Sequence, residues 1–188
     1  MSEGPDIPRR PLWVFGYGSL IWNPGFPVAE SRLAKLHGFA RSFCMTSIHH
    51  RGTVEHPGLV LALDPRPGSF CDGVAFRVPD EDAEATVAYL RDRELISSAY
   101  VEKRVTAVLD DGNEIEALAY VVDTGHEQYV AHLALEDQAR IISTAVGGRG
   151  PNTEYLWNTA RHLAELGIGD PDLDWLARRV AELTGTDR

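Results

Sequence analysis

Glu94 is of the wrong type for its position. The segment from about Asp80 to Leu95 follows Pro79 and has Asp80, Glu81 and Asp82 in its first turn, where the positive end of a helix favours acid. Ala83, Val87 and Leu90 then recur at spacings of four and three, so they share one face. At about 100° per residue the next member of that stripe, about 40° round from Leu90, is Glu94. If exposed, Glu94 is a solvated acid in a last turn whose dipole disfavours it. If partly buried, it is a carboxyl with a raised pKa, because desolvation penalises the ionised form. Such a group suits general base and acid work.

The stretch "WVFGYGSLIWNPGF", residues 13–26, is the second candidate. An apolar run, Trp13-Val14-Phe15, meets Gly16-Tyr17-Gly18-Ser19 and then Leu20-Ile21-Trp22. The pattern lacks the third glycine of GxGxxG and the lysine of GxxxxGK[ST], which argues against a nucleotide site. It remains either turn punctuation or a strand end where glycine lets backbone N–H groups face an anion. The polar loop "TSIHHRGTVEHP" holds His49, His50, Arg51 and His56. Adjacent histidines on an extended chain point to opposite sides, which disfavours a shared metal. Arg51, followed by Gly52, can grip a carboxylate bidentately, or it is an ordinary surface arginine. Tyr155 in "GPNTEYL" opens a helix and reads by itself as a packing residue with a hydrogen-bonded hydroxyl.

These residues need elements to position them. Residues 12–17, 37–45, 58–63 and 69–78 read as strands, and 80–95 as a helix. "VEKRVTAVL" and "EIEALAYVV" flank "DDGN", a hairpin signature. Helices follow at about 136–146 and at 153–166, the second ended by Gly167. A last helix has Asp170 as N-cap and Pro171 at its first position. Residues 1–11 read as a loose arm and 184–188 as a frayed end. Strands first and helices later predict an α+β fold with a mainly antiparallel or mixed sheet that can curl into a barrel. The chain shows no repeat or linker, so residues 1–188 read as one domain.

At 188 residues and 44% hydrophobic, the chain can bury a real core. It has no apolar run near the roughly 18 residues of a membrane span and no secretory h-region, so a cytosolic protein is expected. Cys44 and Cys71 lack CxxC spacing and read as buried free thiols. The formal net charge is −10, and no cluster of Lys and Arg marks a nucleic-acid surface. A small-molecule partner is expected. An anionic one would require local positive potential against the global field.

Taken together, these blocks resemble the ChaC-like γ-glutamylcyclotransferases. "WVFGYGSLIWNPGF" is similar to the family's FGYGSLxWxP signature. "RSFC", "HRG", "HPGLVLALD", "GVAFRVP", "YLRDREL", "ALAYV" and "GPNTEYL" follow in the family's order, from about residue 12 to residue 166. The resemblance implies a small mixed barrel flanked by helices. It also implies cleavage of glutathione into 5-oxoproline and cysteinylglycine without metal or cofactor. By position, it places the catalytic glutamate on Glu94 and the substrate loop on Tyr17, Gly18, Ser19 and Leu20. It places further substrate contacts on Arg51, on Tyr100 after the catalytic helix, and on Tyr155. Where many relatives carry a glycine pair or Gly-Cys before that tyrosine, this chain reads Ser97-Ser98-Ala99-Tyr100. Two alternatives stay open: a cyclotransferase for other γ-glutamyl amino acids or amines, and a non-catalytic binding or regulatory module on the same fold.

Overall fold

The apolar run at the head of the GYGS loop forms strand β1, Trp13–Gly16, and all four of its residues are buried. A strand covered on both faces has no use for polar alternation, which is why this one reads as a continuous apolar run. The computed structural model describes residues 11–95 and 98–186, so the expected arm (save Pro11) and Ile96-Ser97 lie outside the described residues. The remaining elements are β2 (Glu30–Ser47), β3 (Gly58–Arg77), α1 (Ala83–Glu94), β4 (Tyr100–Leu109), β5 (Glu114–Val122), α2 (Leu135–Thr144), β6 (Val146–Gly147), β7 (Gly150–Pro151), α3 (Asn152–Glu165) and α4 (Pro171–Thr184).

The chain forms two compact units. One comprises the chain up to Arg41 and Leu63–Asp123; the other comprises Ser42–Ala62 and Thr124 onward. The first unit carries a closed barrel in the order β1-β3-β2-β4-β5, with β3 also pairing β5. β1 runs antiparallel to β3, from Trp13 opposite Arg77 to Gly16 opposite Val74. It runs parallel to β5 at Val14 and Leu118. β4 and β5 form the expected hairpin around Gly112, whose φ of +88° suits glycine. The barrel is therefore mixed, as the element order predicted. α1 buries the predicted stripe: Ala83 and Leu90 are fully buried and Val87 nearly so.

Two strand boundaries differ from the sequence reading. Residues 58–63 and 69–78 are not separate strands but parts of one, β3. Between them lie Pro65, Pro67 and Gly68, turn formers by local preference. They instead occupy a solvent-facing stretch of extended chain, where a missing donor costs little and Gly68 takes φ +83°. β2 begins at Glu30 rather than near His37. Its first half buries only Ala34 and Leu36, with Leu33 exposed and Lys35 and His37 as the other neighbours, a weak alternation.

The second unit packs α2, α3 and α4 around Ile142, Leu156, Leu163, Leu173, Leu176 and Val180. Arg179 of α4 grips Glu136 of α2 through two N–H groups at 2.9 and 2.8 Å. The second helix ends at Thr144, so Val146 opens the short β6–β7 hairpin that the sequence did not suggest. α4 starts as expected: Asp170 accepts from the Leu173 N–H at 3.1 Å, with Pro171 at the first position. The tail expected to fray instead caps α4 as far as it is described. Gly185 adopts φ +67°, and the Thr186 N–H returns to the Ala181 carbonyl at 2.9 Å. Both Cys44 and Cys71 are buried free thiols. Among the described residues, no helix is long and apolar enough to cross a membrane.

Asp170→Ala should cost about 1 kcal/mol. For a chain of this length that lowers the melting temperature by roughly 2–4 °C. Asp170→Asn should recover most of the loss. An unchanged melting temperature in Asp170→Ala would show that the cap contributes nothing to α4.

Candidate active site

At the end of β1 the chain bends at Tyr17-Gly18 and tightens into a single 3₁₀ turn, Ser19–Ile21. The first donors of such a turn have no partner within it. The Ile21 N–H closes onto the Gly18 carbonyl at 2.9 Å, which leaves the Ser19 and Leu20 amides ahead of the first intra-turn bond. The loop is held from beneath. Arg41 of β2 donates through Nε to the Tyr17 carbonyl at 2.7 Å and through Nη2 to the Asp72 carbonyl. Tyr17, Gly18 and Leu20 are buried, and Ser19 is half-buried.

Glu94 is the last residue of α1, and its side chain is only 18% exposed. Of the two sequence readings, partial burial is the one observed. Burial pushes its carboxyl above the ordinary value of 4.5, and the positive charge of Arg93 offsets that only in part. Arg93 does more than neighbour Glu94. Its Nε lies 3.4 Å from Glu94 Oε1. Its Nη2 donates to Ser19 Oγ at 3.3 Å. Its Nη1 donates to the Asn23 carbonyl at 2.7 Å, the Pro24 carbonyl at 3.2 Å and the Tyr89 hydroxyl at 3.1 Å. One planar guanidinium thus joins the GYGS loop to the glutamate, and its fixed fork of donors suits that work. The sequence reading assigned Arg93 no role. It stands inside the "YLRDREL" block, but its partners are some 70 residues away and no local pattern names them.

The last turn of α1 also holds, through Arg91, a second acidic group that the sequence did not disclose. Glu102 of β4 accepts from Arg91 Nε at 3.0 Å, Arg91 Nη2 at 2.8 Å and the Tyr120 hydroxyl at 3.0 Å. Burial pushes the Glu102 carboxyl up, yet the hydrogen bonds from Arg91 and Tyr120 and the nearby arginine charges outweigh it and hold the group low. Tyr120 is 1% exposed, and its hydroxyl is raised far above the ordinary tyrosine value. Burial leads that shift, followed by the charge and hydrogen bond of Glu102, and the Glu94 charge adds to it. Tyr100 is the first residue of β4, half-buried, opposite Val122 of β5. Just before it, Ser98 takes φ +58°, a left-handed conformation that costs a serine more than a glycine.

Arg51 and Tyr155 belong to the second unit, where they meet. The Arg51 guanidinium lies 5.8 Å over the Tyr155 ring and donates to the Pro151 carbonyl at 3.1 Å. It also sits 3.7 Å from Glu154. The Tyr155 hydroxyl accepts from the Leu61 N–H at 3.2 Å, and its ring packs edge-on against Phe43. Both therefore serve as structural residues of this unit. Gly52 of the HRG block cannot carry a side chain: a Cβ there would stand 2.1 Å from the Gly58 nitrogen. His50 is pushed down by burial and by the positive charges of Arg149, His49 and Arg51. Local positive potential therefore exists on a chain of net charge −10. Among the described residues, no three His, Cys, Asp or Glu side chains are placed to share a metal ion.

The raised Glu94 carboxyl has a consequence for stability. Between the ordinary value of 4.5 and its raised folded value, the folded chain keeps a proton that the unfolded chain has released. Stability therefore falls as pH rises through that window, and the loss persists above it. Glu94→Gln removes the penalty. It should melt at a higher temperature than the parent at about pH 8 and at nearly the same temperature at about pH 4. A variant less stable than the parent at about pH 8 would contradict this.

A family model described as ChaC-like protein matches residues 12–183. A glutathione-specific γ-glutamylcyclotransferase of Escherichia coli is 36% identical over 179 residues, covering 95% of this chain and 76% of that protein. Its counterpart in Schizosaccharomyces pombe is 38% identical over 183 residues, covering 88% of this chain and 89% of that protein. A crystal structure of the yeast γ-glutamylcyclotransferase specific to glutathione superposes with a TM-score of 0.81 at 26% identity, covering 92% of this chain and 99% of that one. The match runs through every block quoted from the sequence, from the loop before Glu94 to the helix of Tyr155, and the chain belongs to the ChaC-like protein family.

Proposed function

We propose that this protein is a γ-glutamylcyclotransferase that cleaves glutathione into 5-oxoproline and cysteinylglycine, with Glu94 as its general base and acid. The observation that carries the reading is the Arg93 guanidinium, which touches both Glu94 and Ser19 of the GYGS loop. A proton-transfer group and an anion-facing loop are thereby held within one side chain's reach. The names of the relatives support glutathione as the substrate. The uninterrupted family match across residues 12–183 supports treating residues 1–188 as one functional domain.

The γ-glutamyl group carries its own nucleophile. Its α-amine attacks the γ-amide carbonyl, a C–N bond closes the five-membered lactam, and the bond to the cysteinyl nitrogen breaks. Because the attack is intramolecular, the protein has chiefly to hold the folded-back conformer. Good orientation can be worth on the order of 10⁵–10⁸ M in effective molarity. The ammonium form cannot attack, so ionised Glu94 takes one proton from it and later returns a proton to the leaving nitrogen; the second proton that the ring nitrogen sheds on closure passes to solvent, and cysteinylglycine departs as the neutral amine. A carboxyl raised by burial is matched to both halves of this exchange better than an ordinary one. The Gly18, Ser19 and Leu20 amides hold the glutamyl end, either its α-carboxylate or the developing oxyanion. Tyr17 walls this loop and Tyr100 contacts the rest of the substrate; further contacts from Arg51 and Tyr155 are what the family resemblance implies.

Purified protein incubated with glutathione should release 5-oxoproline and cysteinylglycine in equal amounts; neither appearing would end the reading. Glu94→Gln should still bind glutathione but form 5-oxoproline at least about 100-fold more slowly. Turnover near the parent rate would remove Glu94 from the mechanism. Gly18→Val, which crowds the backbone that must approach the ligand, should abolish glutathione binding in calorimetry while the protein stays folded. Unchanged affinity would free the loop from this role.

A further inference from the structure

Arg91, on the last turn of α1, Glu102 and the buried Tyr120 form a hydrogen-bonded cluster that the proposed proton transfers do not use. Their arrangement is specific. The Arg91 guanidinium meets both Glu102 oxygens, from Nε at 3.0 Å and Nη2 at 2.8 Å, the two-bond geometry that fixes orientation as well as distance. The Tyr120 hydroxyl donates to the same carboxylate at 3.0 Å from the paired strand, where Tyr120 stands opposite Glu102. The carboxylate itself therefore cannot turn away.

Helix geometry says what such a grip does. At about 100° per residue, Arg93 points roughly 200° round α1 from Arg91, and Glu94 roughly 300°. The two arginines thus leave the last turn on nearly opposite sides, and Glu94 projects within the arc between them. Arg93 holds one side to the loop through Ser19, Asn23 and Pro24. Arg91 holds the other side to β4 through Glu102. The buried stripe ends at Leu90, one turn before Glu94, so a single tether would leave the last turn some freedom to roll. Two opposed tethers remove it. Rolling α1 by about 10° would carry a carboxylate about 6 Å from the axis through about 1 Å. A misplacement of that size can cost roughly 10²-fold in rate.

We propose that Arg91 and Glu102 are positioning residues: the pair, oriented by Tyr120, fixes the roll of α1 and so sets where the Glu94 carboxylate meets the substrate amine. The inference rests on Glu94 being the base. It predicts an effect on turnover rather than on binding, because the loop amides that hold the glutamyl end are untouched.

The test pairs Arg91→Met with Glu102→Leu, because replacing a partly buried ion pair with apolar groups of similar size tends to leave stability unchanged. At equal folded fraction, kcat for 5-oxoproline release should fall about 10- to 100-fold while KM stays within about twofold. Glu102→Gln keeps shape but breaks one arm of the fork. It should lower kcat about tenfold with KM unchanged, and it remains informative if the double variant does not fold. Arg91→Lys, a point charge without the fork, should fall between parent and double variant. Parent kcat in the folded double variant or in Glu102→Gln would overturn the proposal, as would a rise in KM at constant kcat. Glu94→Gln measured alongside separates the two levels. If Glu94→Gln turns over normally, the reading of Glu94 fails and the positioning role fails with it. If Glu94→Gln is inactive while the pair variants run at the parent rate, only the positioning role fails.

Discussion

The contacts of Arg93 are the constraint on which the rest of the proposed site depends. A guanidinium has five N–H donors and no acceptor, so it can unite groups that would otherwise drift apart. Here it draws on the carbonyls of Asn23 and Pro24, the hydroxyls of Ser19 and Tyr89, and the carboxylate of Glu94. A strand-end loop and a helix end, far apart in sequence, are thereby set in one frame. Arg41 does the same beneath the loop by holding the Tyr17 and Asp72 carbonyls. With the carbonyl of Tyr17 committed to an arginine, the Gly18 amide of the same peptide unit cannot be reoriented by a simple peptide flip.

The electrostatics of Glu94 follow from where this frame puts it. Burial raises the carboxyl, and a neighbouring arginine limits the rise without cancelling it. Glu102, only eight residues on, is partly buried too, yet it is held low by two arginine N–H bonds and a tyrosine hydroxyl. Two carboxylates on adjacent elements are thus pushed in opposite directions. One keeps a proton-exchanging character and the other is locked as an anion. The difference lies in the number of donors each receives, which outweighs the desolvation both of them feel.

Much of the frame was legible in the sequence. The stripe Ala83, Val87, Leu90 predicted the buried face of α1, and extending it singled out Glu94 before any contact was known. "DDGN" between alternating runs located the hairpin, and Asp170-Pro171 located the start of α4. Boundaries were less legible. Pro65, Pro67 and Gly68 are turn formers by local preference, yet an extended chain facing solvent accommodates them within β3. Val146 continued an apolar helix pattern but pairs with Pro151 in a hairpin, a partner that only the folded backbone supplies.

By itself the sequence determined periodicity, capping and the identity of the chemical groups, because these rest on interactions within a few residues. It thereby put a carboxylate on the line of the apolar stripe, leaving its burial open, and a glycine-bracketed tyrosine at a strand end. Only the tertiary structure decided which side chains meet them. Arg93 on the loop, Arg91 on Glu102 and Tyr120 on the same carboxylate span separations of 70, 11 and 18 residues. Contacts of that kind are selected by barrel closure and burial. A long charged side chain has many partners within reach in an unfolded chain, and only packing removes all but a few.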